Sequence, residues 1–426
     1  MPARSPYGAV EVLRWDPTGG PGLLLPTPEA VEDLERFRML FPETPGPDAA
    51  GLVDLLRRAD LRGRGGAGFP AWRKVEAVAG RRKDGPVAVV ANGEEGEPAS
   101  CKDRYLLRHR PHVVLEGLEI VRRAIDADLA YVYVSDEVSR DRVSAALTER
   151  GTGDVEVFLA PRGYVSGEET SVVRALNGGP ALPVQKPPRP FEVGVAERPT
   201  AVMNVETLAR VAQLWAAQEA GVPERSGADQ LLLTVLDDAR VVLTEVPLGT
   251  TLRSIALRAL GIEVPPGAPV LAGGFFSGFL PESALDVGLD YDAFRAIGTG
   301  VGCGSFAFLP GQCPVDLATD VMAFFDRENA HQCGSCFKGT AAMHSTLARI
   351  GIGQQTESDV ADLERWSRTL VGRGSCATLD GAACLARSLV TQFADEVARH
   401  ATTPCPQCAS VAGRAARDTR FRVPAP

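Results

Sequence analysis

Arg62-Gly63-Arg64-Gly65-Gly66-Ala67-Gly68-Phe69-Pro70 forms a loop with four glycines in six residues, and Lys74 follows it. Glycine accepts positive φ and lets the backbone approach a ligand closely. Successive N–H groups in such a turn, ahead of a helix, form an anion cradle. The spacing Gly63-x-Gly65-x-x-Gly68 is that of the dinucleotide fingerprint, but a helical pattern over Leu52–Ala59 precedes it instead of a strand. We therefore interpret the loop as a phosphate loop entered from a helix, or as a structural turn.

A second polar stretch complements this loop. It reads Ala91-Asn92-Gly93-Glu94-Glu95-Gly96-Glu97-Pro98 and follows an apolar strand predicted at Val87–Val90. Open α/β sheets bind ligands at the carboxyl ends of their strands. Alone, the stretch reads best as a solvated acidic loop. The loop and the stretch together favour a nucleotide site.

Composition restricts the class of protein. The chain has 426 residues, 45% of them hydrophobic, and a net charge of -9. This length predicts two to four domains, and the negative charge disfavours nucleic acid as a partner. There is no uncharged apolar run near the roughly 20 residues of a transmembrane helix, and the N-terminus lacks an apolar signal core. We therefore expect a cytoplasmic protein whose nine cysteines are not a disulfide set.

Strands and helices alternate from about residue 51 to 220. Strands are predicted at 130–134 and 155–159, with helical patterns at 114–125 and 138–149, which indicates an α/β domain with a largely parallel sheet. The loop Tyr164–Thr170, with Gly167, Glu168 and Glu169, then precedes a helix at 172–176. It is either another ligand loop or a helix N-terminus at which glutamate complements the helix dipole.

The remainder divides into two parts. A hairpin pattern at 231–235 and 241–244, followed by a helix at 252–260, predicts a small β-grasp-like domain. Helices are predicted at 317–326, 339–350, 360–371 and 382–400. The expected divisions are an N-terminal arm at 1–50, an α/β domain at 51–225, the β-grasp-like domain at 226–312, a helical domain at 313–402 and a tail at 403–426.

Two C-x-x-C pairs draw attention to metal or redox chemistry. Cys333 and Cys336 lie just ahead of the second predicted helix, and Cys376 precedes the fourth. Three cysteines make a partial iron–sulfur or zinc set, to which His331 could add a nitrogen ligand. The other pair, Cys405 and Cys408, could bind metal, but it lies near the C-terminus, where frayed structure is expected. The other histidines are interpreted as incidental. Four further cysteines are interpreted as small buried apolar residues: Cys101, Cys303, Cys313 and Cys384.

These motifs, in this order and spacing, resemble the NADH-binding flavoprotein subunit of respiratory complex I (the 51 kDa or F-subunit family). The diaphorase subunits of soluble hydrogenases and formate dehydrogenases are similar. Besides the loops above, the resemblance rests on Cys101-Lys102-Asp103-Arg104, Lys186-Pro187-Pro188 and Asn204-Val205-Glu206-Thr207. It covers residues from about 50 to 400. It implies a Rossmann-like FMN and NADH domain, a small β-grasp-like (SLBB) domain and a helical iron–sulfur domain.

The resemblance also implies an activity. NADH would pass hydride to FMN, and electrons would leave singly through a [4Fe–4S] cluster to a ferredoxin- or thioredoxin-like iron–sulfur partner or a quinone-linked chain, at the inner face of the membrane. Glu95 and Glu97 would line the nicotinamide pocket, and Phe69 would stack on the nucleotide. The implied cofactor-binding residues are Gly63, Arg64, Gly65, Gly66, Ala67, Gly68, Phe69, Lys74, Asn92, Glu94, Glu95, Gly167, Glu168, Glu169, Lys186 and Asn204.

The chain also departs from the family pattern. Cys333, Cys336 and Cys376 match three cluster ligands, but the first falls on Ala330, so the fourth ligand would be His331, a water, a displaced cysteine or a partner residue. The two aromatic positions that sandwich the adenine fall on Ala77 and Arg189. Met203 replaces an asparagine. Three functions therefore stay open: an NADH dehydrogenase flavoprotein subunit, an FMN diaphorase without the cluster, and a non-catalytic assembly subunit.

Overall fold

The computed structural model describes residues 8–15, 22–27, 30–222, 228–409 and 421–424. Its strands are β1 Glu11–Arg14, β2 Ala88–Asn92, β3 Leu129–Val134, β4 Val155–Leu159, β5 Thr200–Asn204, β6 Gln230–Leu236, β7 Val241–Pro247, β8 Val270–Ala272 and β9 Ser305–Phe308. Its helices are α1 Leu34–Leu40, α2 Ala49–Arg58, α3 Ala71–Ala79, α4 Lys102–His109, α5 Pro111–Ala124, α6 Glu137–Arg150, α7 Glu169–Leu176, α8 Val205–Glu219, α9 Leu252–Ile255, α10 Tyr291–Ala296, α11 Pro314–Glu328, α12 Gly334–Gly351, α13 Asp359–Thr369, α14 Thr378–Gln392, α15 Ala394–Arg399 and α16 Pro406–Ala409.

Four parallel strands form the first sheet, in the order β4-β3-β2-β5. The apolar residues of β2 are fully buried, as expected for a parallel strand covered by helices on both faces. The chain proceeds from β2 to β3 and β4 on one side and then returns to place β5 on the other. This arrangement confirms the mixed α/β prediction and creates a point at which the strand order reverses, between β2 and β5.

A second, mixed sheet has the order β1-β7-β6-β9-β8. The predicted hairpin is present as the antiparallel pair β6 and β7. The helix predicted at 252–260 consists of α9 followed by one turn of the wider π-helix. Strand β1 comes from the predicted N-terminal arm and pairs in parallel with β7, which the sequence pattern did not indicate.

The C-terminal part is helical, with two corrections to the predicted elements. Helix α12 begins at Gly334 and not at 339, so Cys333 is its N-cap and Cys336 lies in its first turn. The helix predicted over 382–400 is two helices. Phe393 leaves the helical conformation at the end of α14, and its ring packs against Phe279 with the centroids 5.2 Å apart.

Parts of the predicted layout lie outside the described residues: residues 1–7, 16–21 and 28–29 of the arm, the boundary between 225 and 226, and residues 410–420 and 425–426 of the tail. Across the described ranges, none of the helices is both long enough and apolar enough to cross a membrane.

Candidate functional site

The carboxyl ends of β2 and β5 lie side by side where the strand order reverses, and their last residues, Asn92 and Asn204, are register partners. Asn92 Nδ2 donates to the Gly167 carbonyl at 2.9 Å. Asn204 Nδ2 donates to Asp103 at 2.7 Å, and its Oδ1 caps α8. Ligands of open α/β sheets bind in the crevice at such a point. The two amides predicted from separate motifs therefore meet at this edge.

The glycine loop lies over this crevice. The Gly63 N–H donates to the Phe69 carbonyl at 2.8 Å and closes the loop. Gly65 packs on Asn204, since a Cβ there would be 3.3 Å from the Asn204 Cβ. Gly66 has φ 114°, and a Cβ on it would meet no atom within 4 Å. At Gly66 the loop thus borders open space, as a phosphate cradle requires, and the Phe69 side chain is 43% exposed.

Two lysines and two glutamates form a charged group at the same edge. Lys74 Nζ donates to Glu169 at 3.0 Å and to the Val202 carbonyl of β5 at 3.0 Å. Lys186 Nζ donates to Glu168 at 2.7 Å. Burial opposes ionisation of Glu169, but Lys74 and then Lys186 outweigh it and hold the pKa of that carboxyl below its ordinary range. All four side chains are partly exposed.

The loop before α7 packs directly against the acidic stretch. A Cβ on Gly167 would be 2.5 Å from the Glu94 carboxylate, so a larger residue would displace the Glu94 side chain. Glu168 is the N-cap of α7 and accepts from the Thr170 N–H at 2.8 Å. The helix-terminus interpretation is therefore right for Glu168, and the same carboxylate still reaches Lys186.

The three glutamates of the acidic stretch lie in different surroundings, with Glu94 buried and Glu95 and Glu97 partly buried. Burial raises the pKa of Glu94 well above its ordinary range and raises the pKa of Glu97 to about 7. Glu97 Oε2 accepts from the Phe275 N–H at 3.1 Å, whereas Oε1 has no hydrogen-bond partner in the described structure. An unpaired buried oxygen of this kind is unusual and marks a position that a proton or a ligand can satisfy.

Glu95 forms hydrogen bonds that hold the start of helix α4. Its carboxylate accepts from the backbone N–H groups of Asp103 and Arg104, each at 3.1 Å, at the start of α4. Burial opposes its ionisation, but the charges of Arg104 and Lys102 hold its pKa below the ordinary value. Glu95 is therefore an ionised group that fixes the N-terminus of α4 beneath the crevice.

Arg64 points away from the crevice, contrary to what its place in the loop suggested. Its backbone N–H donates to Thr207 Oγ1 at 2.8 Å. Its guanidinium is buried and donates to Tyr291 Oη at 2.9 Å and to the Ala228 carbonyl at 2.7 Å. Within the structure Arg64 joins the glycine loop to the second sheet, and neither its side chain nor its N–H is offered to a phosphate.

Asp103 is a residue of this site to which sequence reasoning assigned no role. It accepts from Asn204 and from Lys102 Nζ, the latter at 2.7 Å, and Lys102 also pairs with Glu206 at 3.2 Å. Burial raises the pKa of Asp103 to about 7. The sequence indicated that these side chains could meet. Lys102 and Asp103 closely follow the acidic stretch, and Glu206 lies two residues after Asn204 in the motifs quoted above.

Comparisons with known proteins identify the family. Residues 56–213 match the family model described as the Nuo51 FMN-binding domain, and residues 316–400 match the NADH-ubiquinone oxidoreductase-F iron-sulfur binding region. In Rhizobium meliloti (strain 1021), the second NADH-quinone oxidoreductase F subunit is 33% identical over 405 residues, which cover 89% of this chain and 94% of that protein. The chain belongs to the F-subunit family of NADH-quinone oxidoreductase.

Other relatives agree with this membership of the F-subunit family. The F subunit of Rickettsia typhi (strain ATCC VR-144 / Wilmington) is 29% identical over 379 residues, covering 81% of this chain and 88% of the relative. A solved NAD+-reducing [NiFe]-hydrogenase in the H2-reduced state has a TM-score of 0.72 and 27% identity, over 86% of this chain. This chain spans 64% of that hydrogenase chain. The resemblance stated from the motifs is confirmed, and the matched regions agree with the predicted FMN and iron–sulfur cofactors.

The part of this chain that matches the iron–sulfur region of the family contains the three cysteines predicted as cluster ligands. Burial, and then the charges of Cys376 and Cys333, raise the pKa of the Cys336 thiol. Cys333 Sγ lies 3.2 Å from Ser375 Oγ and accepts from the Ser375 N–H. Three thiols fit a cluster, but the position that the resemblance gives to the first ligand is Ala330, which has no donor atom. His331 is exposed, with φ 50°.

Three other positions at which the chain departs from the family pattern differ in exposure. Arg189, at one of the two adenine positions, is exposed, and its charge contributes to lowering the pKa of Glu169. Ala77 is partly exposed on α3, and Met203 is buried in β5. Of the three, Arg189 is therefore the side chain that adds charge at the edge of the crevice.

Three interpretations of the C-terminal residues were wrong. Cys313 is not an isolated apolar cysteine, and His400 is not incidental, because both lie with Cys405 and Cys408 in one group whose ligand atoms are all within 4.8 Å of one another. The pair near the terminus is not frayed either, since Cys408 is fully buried. Sequence reasoning missed this group because Cys313 is 87 positions from His400.

Proposed function

We propose that this chain is the NADH-oxidising flavoprotein subunit of an electron-transfer assembly. One observation carries the proposal: the glycine loop, Asn92 and Asn204, and the Lys74–Glu169 pair converge on the crevice at which the strand order reverses. Family membership supports FMN as the group bound there. Its relatives' names, NADH-quinone oxidoreductase and NAD+-reducing hydrogenase, support NADH as the electron donor.

The residues of the crevice fit a flavin mononucleotide. Gly63, Gly65, Gly66, Ala67 and Gly68 supply a loop of backbone for phosphate, with open space at Gly66, and Phe69 supplies an exposed ring for stacking. Lys74, Lys186, Asn92 and Asn204 supply hydrogen bonds to the flavin and ribose, together with Glu94, Gly167, Glu168 and Glu169. FMN, when bound, accepts a hydride from NADH and passes electrons on singly.

The chain contributes placement and electrostatics to this chemistry. Lys74 and Lys186 place two ammonium groups at the edge of β5, each paired with a glutamate. With a pKa of about 7, Glu97 carries a proton on part of the molecules near neutral pH, and Oε1 is the oxygen available for it because Oε2 accepts from Phe275. A protonated Oε1 is a hydrogen-bond donor for the nicotinamide pocket, which Glu95 supports through α4.

The finer assignments belong to the same proposal. The first sheet is a Rossmann-like unit, the second sheet is a β-grasp-like (SLBB) domain, and the helical part holds an iron–sulfur cluster at Cys333, Cys336 and Cys376. The five predicted divisions of the chain are kept. Partners are other electron-transfer subunits, of the ferredoxin- or thioredoxin-like iron–sulfur kind, in the cytoplasm at the inner face of a membrane.

Ala330 favours a second candidate, an FMN diaphorase without the cluster that reduces a soluble acceptor. Anaerobic purification followed by iron, sulfide and flavin quantitation distinguishes the two. About four irons per flavin, with a spectrum that NADH bleaches, supports the electron-input subunit with a fourth ligand outside the three cysteines. Flavin that NADH bleaches in the absence of iron supports the diaphorase. A protein that binds no flavin contradicts both of these functions and supports the non-catalytic assembly subunit.

The binding crevice is tested by Lys74→Ala and Gly66→Val. The first removes a charged hydrogen-bond donor, and the second forces a β-branched side chain into φ 114° and into the open space above the crevice. We expect FMN affinity to fall about 10- to 100-fold in Lys74→Ala and FMN to be lost in Gly66→Val, by flavin fluorescence titration.

Matched variants serve as controls for this test. Lys83→Ala lies on an exposed turn, and Gly153→Val has open space around it and no positive φ. Both should bind FMN as the native chain does. Full FMN occupancy in Lys74→Ala and Gly66→Val would overturn the placement of the site.

A further inference from the structure

A second group of metal-binding side chains lies between the start of α11 and the end of the described helices. Cys313 is the N-cap of α11, His400 follows α15, and Cys405 and Cys408 form a C-x-x-C pair at α16. The four ligand atoms lie within 4.8 Å of one another. Among the residues that the structure describes, this is the one such group of three or more. Cys313, Cys405 and Cys408 lie outside the region that matches the iron–sulfur model.

The distances indicate a single ion. Cys313 Sγ is 3.7 Å from Cys408 Sγ and 3.4 Å from His400 Nε2, which is 3.3 Å from Cys408 Sγ. Tetrahedral zinc with Zn–S of about 2.3 Å and Zn–N of about 2.0–2.1 Å separates two sulfurs by roughly 3.8 Å and sulfur from nitrogen by roughly 3.6 Å. These three edges of the six agree to within a few tenths of an ångström, and the edges to Cys405 are within 4.8 Å. A four-iron cluster would hold its cysteines apart by its own iron–sulfide core.

The histidine is held in the form that can bind a metal. His400 Nδ1 lies 2.8 Å from the Glu396 carbonyl oxygen. A carbonyl only accepts hydrogen bonds, so Nδ1 carries the proton and Nε2 keeps its lone pair toward the sulfurs. A backbone carbonyl on the remote ring nitrogen is the usual outer-shell partner of a metal-binding histidine.

The loops that supply the cysteines are fastened to each other. The Cys313 N–H donates to Gln407 Oε1 at 2.6 Å, and Gln407 Nε2 donates to the Gly311 carbonyl at 2.8 Å. Gln407 thus lies between the two cysteines of its pair and holds them against the start of α11. Cys313, His400 and Cys408 are at most 7% exposed. Their sulfur and nitrogen atoms therefore face one another in a place that bulk water does not reach, as the donor atoms of a buried metal site do.

We propose that Cys313, His400, Cys405 and Cys408 bind one Zn²⁺ as a structural Cys₃His site. Four protein ligands leave no open coordination position, which is the property of structural and not catalytic zinc. The ion fastens residues 400–408 to the start of α11. Beyond it, Phe421 packs on Phe275, with ring centroids 5.3 Å apart, and the Val423 N–H donates to the Pro98 carbonyl at 2.9 Å. The site therefore stands at the base of a segment whose end contacts the acidic stretch beside Glu97.

Metal analysis of the full chain tests the proposal. The protein is purified anaerobically without chelator, and zinc and iron are measured per polypeptide. We expect about one zinc per chain, lost in the double variant Cys405→Ser/Cys408→Ser without loss of iron. His400→Cys, which keeps a fourth ligand, should retain zinc, whereas His400→Ala should lose it.

Two controls separate this site from the rest of the chain. Cys384→Ser alters a cysteine of α14 outside the group and should keep the zinc. Cys333→Ser/Cys336→Ser should lose iron and keep zinc, so that failure of the iron–sulfur assignment does not affect this result. Zinc retained by the Cys405/Cys408 double variant, or iron in place of zinc in the native chain, would overturn the proposal.

If the variants do not fold, the native chain still tests whether the group binds a metal. Protein produced with Co²⁺ in place of zinc should show the visible absorption bands of tetrahedral cobalt bound to thiolates, and Zn²⁺ should displace them. Native protein that takes up neither Zn²⁺ nor Co²⁺ would show that the group is four unligated side chains and would contradict the proposal.

Discussion

At the scale of single residues, three glutamates of one loop differ in protonation. Burial raises the pKa of Glu94 and Glu97, whereas Arg104 and Lys102 outweigh burial and lower the pKa of Glu95. The partners that decide these shifts lie on α4 and in the Phe275 loop. The local sequence shows three carboxylates, and the surroundings contributed by other elements decide which of them is ionised.

Glu97→Gln should remove a pH-dependent loss of stability. The folded-state pKa of about 7 lies above the ordinary value of 4.5, so the folded state binds more protons than the unfolded state between these values. The free energy of unfolding therefore falls as pH rises from about 4.5 to 7, by up to about 3 kcal/mol. Urea unfolding at several pH values should show that this decline is smaller in Glu97→Gln. The exposed Glu263→Gln should follow the native chain, and an unchanged slope in Glu97→Gln would contradict the assignment.

At the scale of elements, the ends of the helices were predicted less accurately than their presence. The start of α12 was placed five residues late, because its first turn, Gly334 to Lys338, has no apolar periodicity and is defined by the cysteines around it. The split between α14 and α15 has a tertiary cause, the inward packing of Phe393 on Phe279. Strands were predicted more closely, since the buried strand β2 is a short apolar run bounded by polar loops.

Gly117→Ala should weaken the packing of α5 on α8. A Cβ at Gly117 would overlap the Leu208 carbonyl of α8, so the two helices approach at a distance that only glycine permits. The helix-propensity gain of up to about 1 kcal/mol does not offset the overlap, and we expect a net loss of about 2 kcal/mol or more. Denaturant unfolding measures it. Gly153→Ala, which meets open space, should change stability little, and a Gly117→Ala chain as stable as the native one would refute the close approach.

At the scale of the whole molecule, the two sheets are joined by buried polar contacts. Arg64 of the glycine loop reaches the chain ahead of β6, and Arg210 of α8 pairs with Glu245 of β7 at 2.5 Å. Strand β1 carries the N-terminal part of the chain to the edge of the second sheet. The crevice is thus held between units that the sequence pattern treats as separate domains.

Arg64→Ala should destabilise the junction without removing a ligand contact. The substitution leaves the Ala228 and Gln230 carbonyls and Tyr291 Oη without their buried donor, at a cost of about 3–5 kcal/mol. Tyr291→Phe removes one of these bonds and should cost about 1 kcal/mol. Denaturant midpoints compare the two. Equal midpoints for Arg64→Ala and the native chain would show that the junction does not depend on Arg64.

Much of the candidate site was predictable, because its signals are local. The glycine loop, the acid–amide stretch and the Gly167–Glu169 loop each stand next to a strand or helix that the chain itself indicates, and parallel strands bring their carboxyl ends to one edge. The direction of the Arg64 side chain was not predictable, since its backbone acceptors at Ala228 and Gln230 are 164 and 166 positions away.

The chain alone specified the α/β order of elements, the loops at the carboxyl edge and the family, because these depend on neighbouring residues and their spacing. Folding decided the rest: which glutamate is ionised, where Arg64 binds, and that Cys313 meets His400, Cys405 and Cys408. Each of these depends on groups far apart in the sequence that only packing brings within hydrogen-bonding or coordination distance.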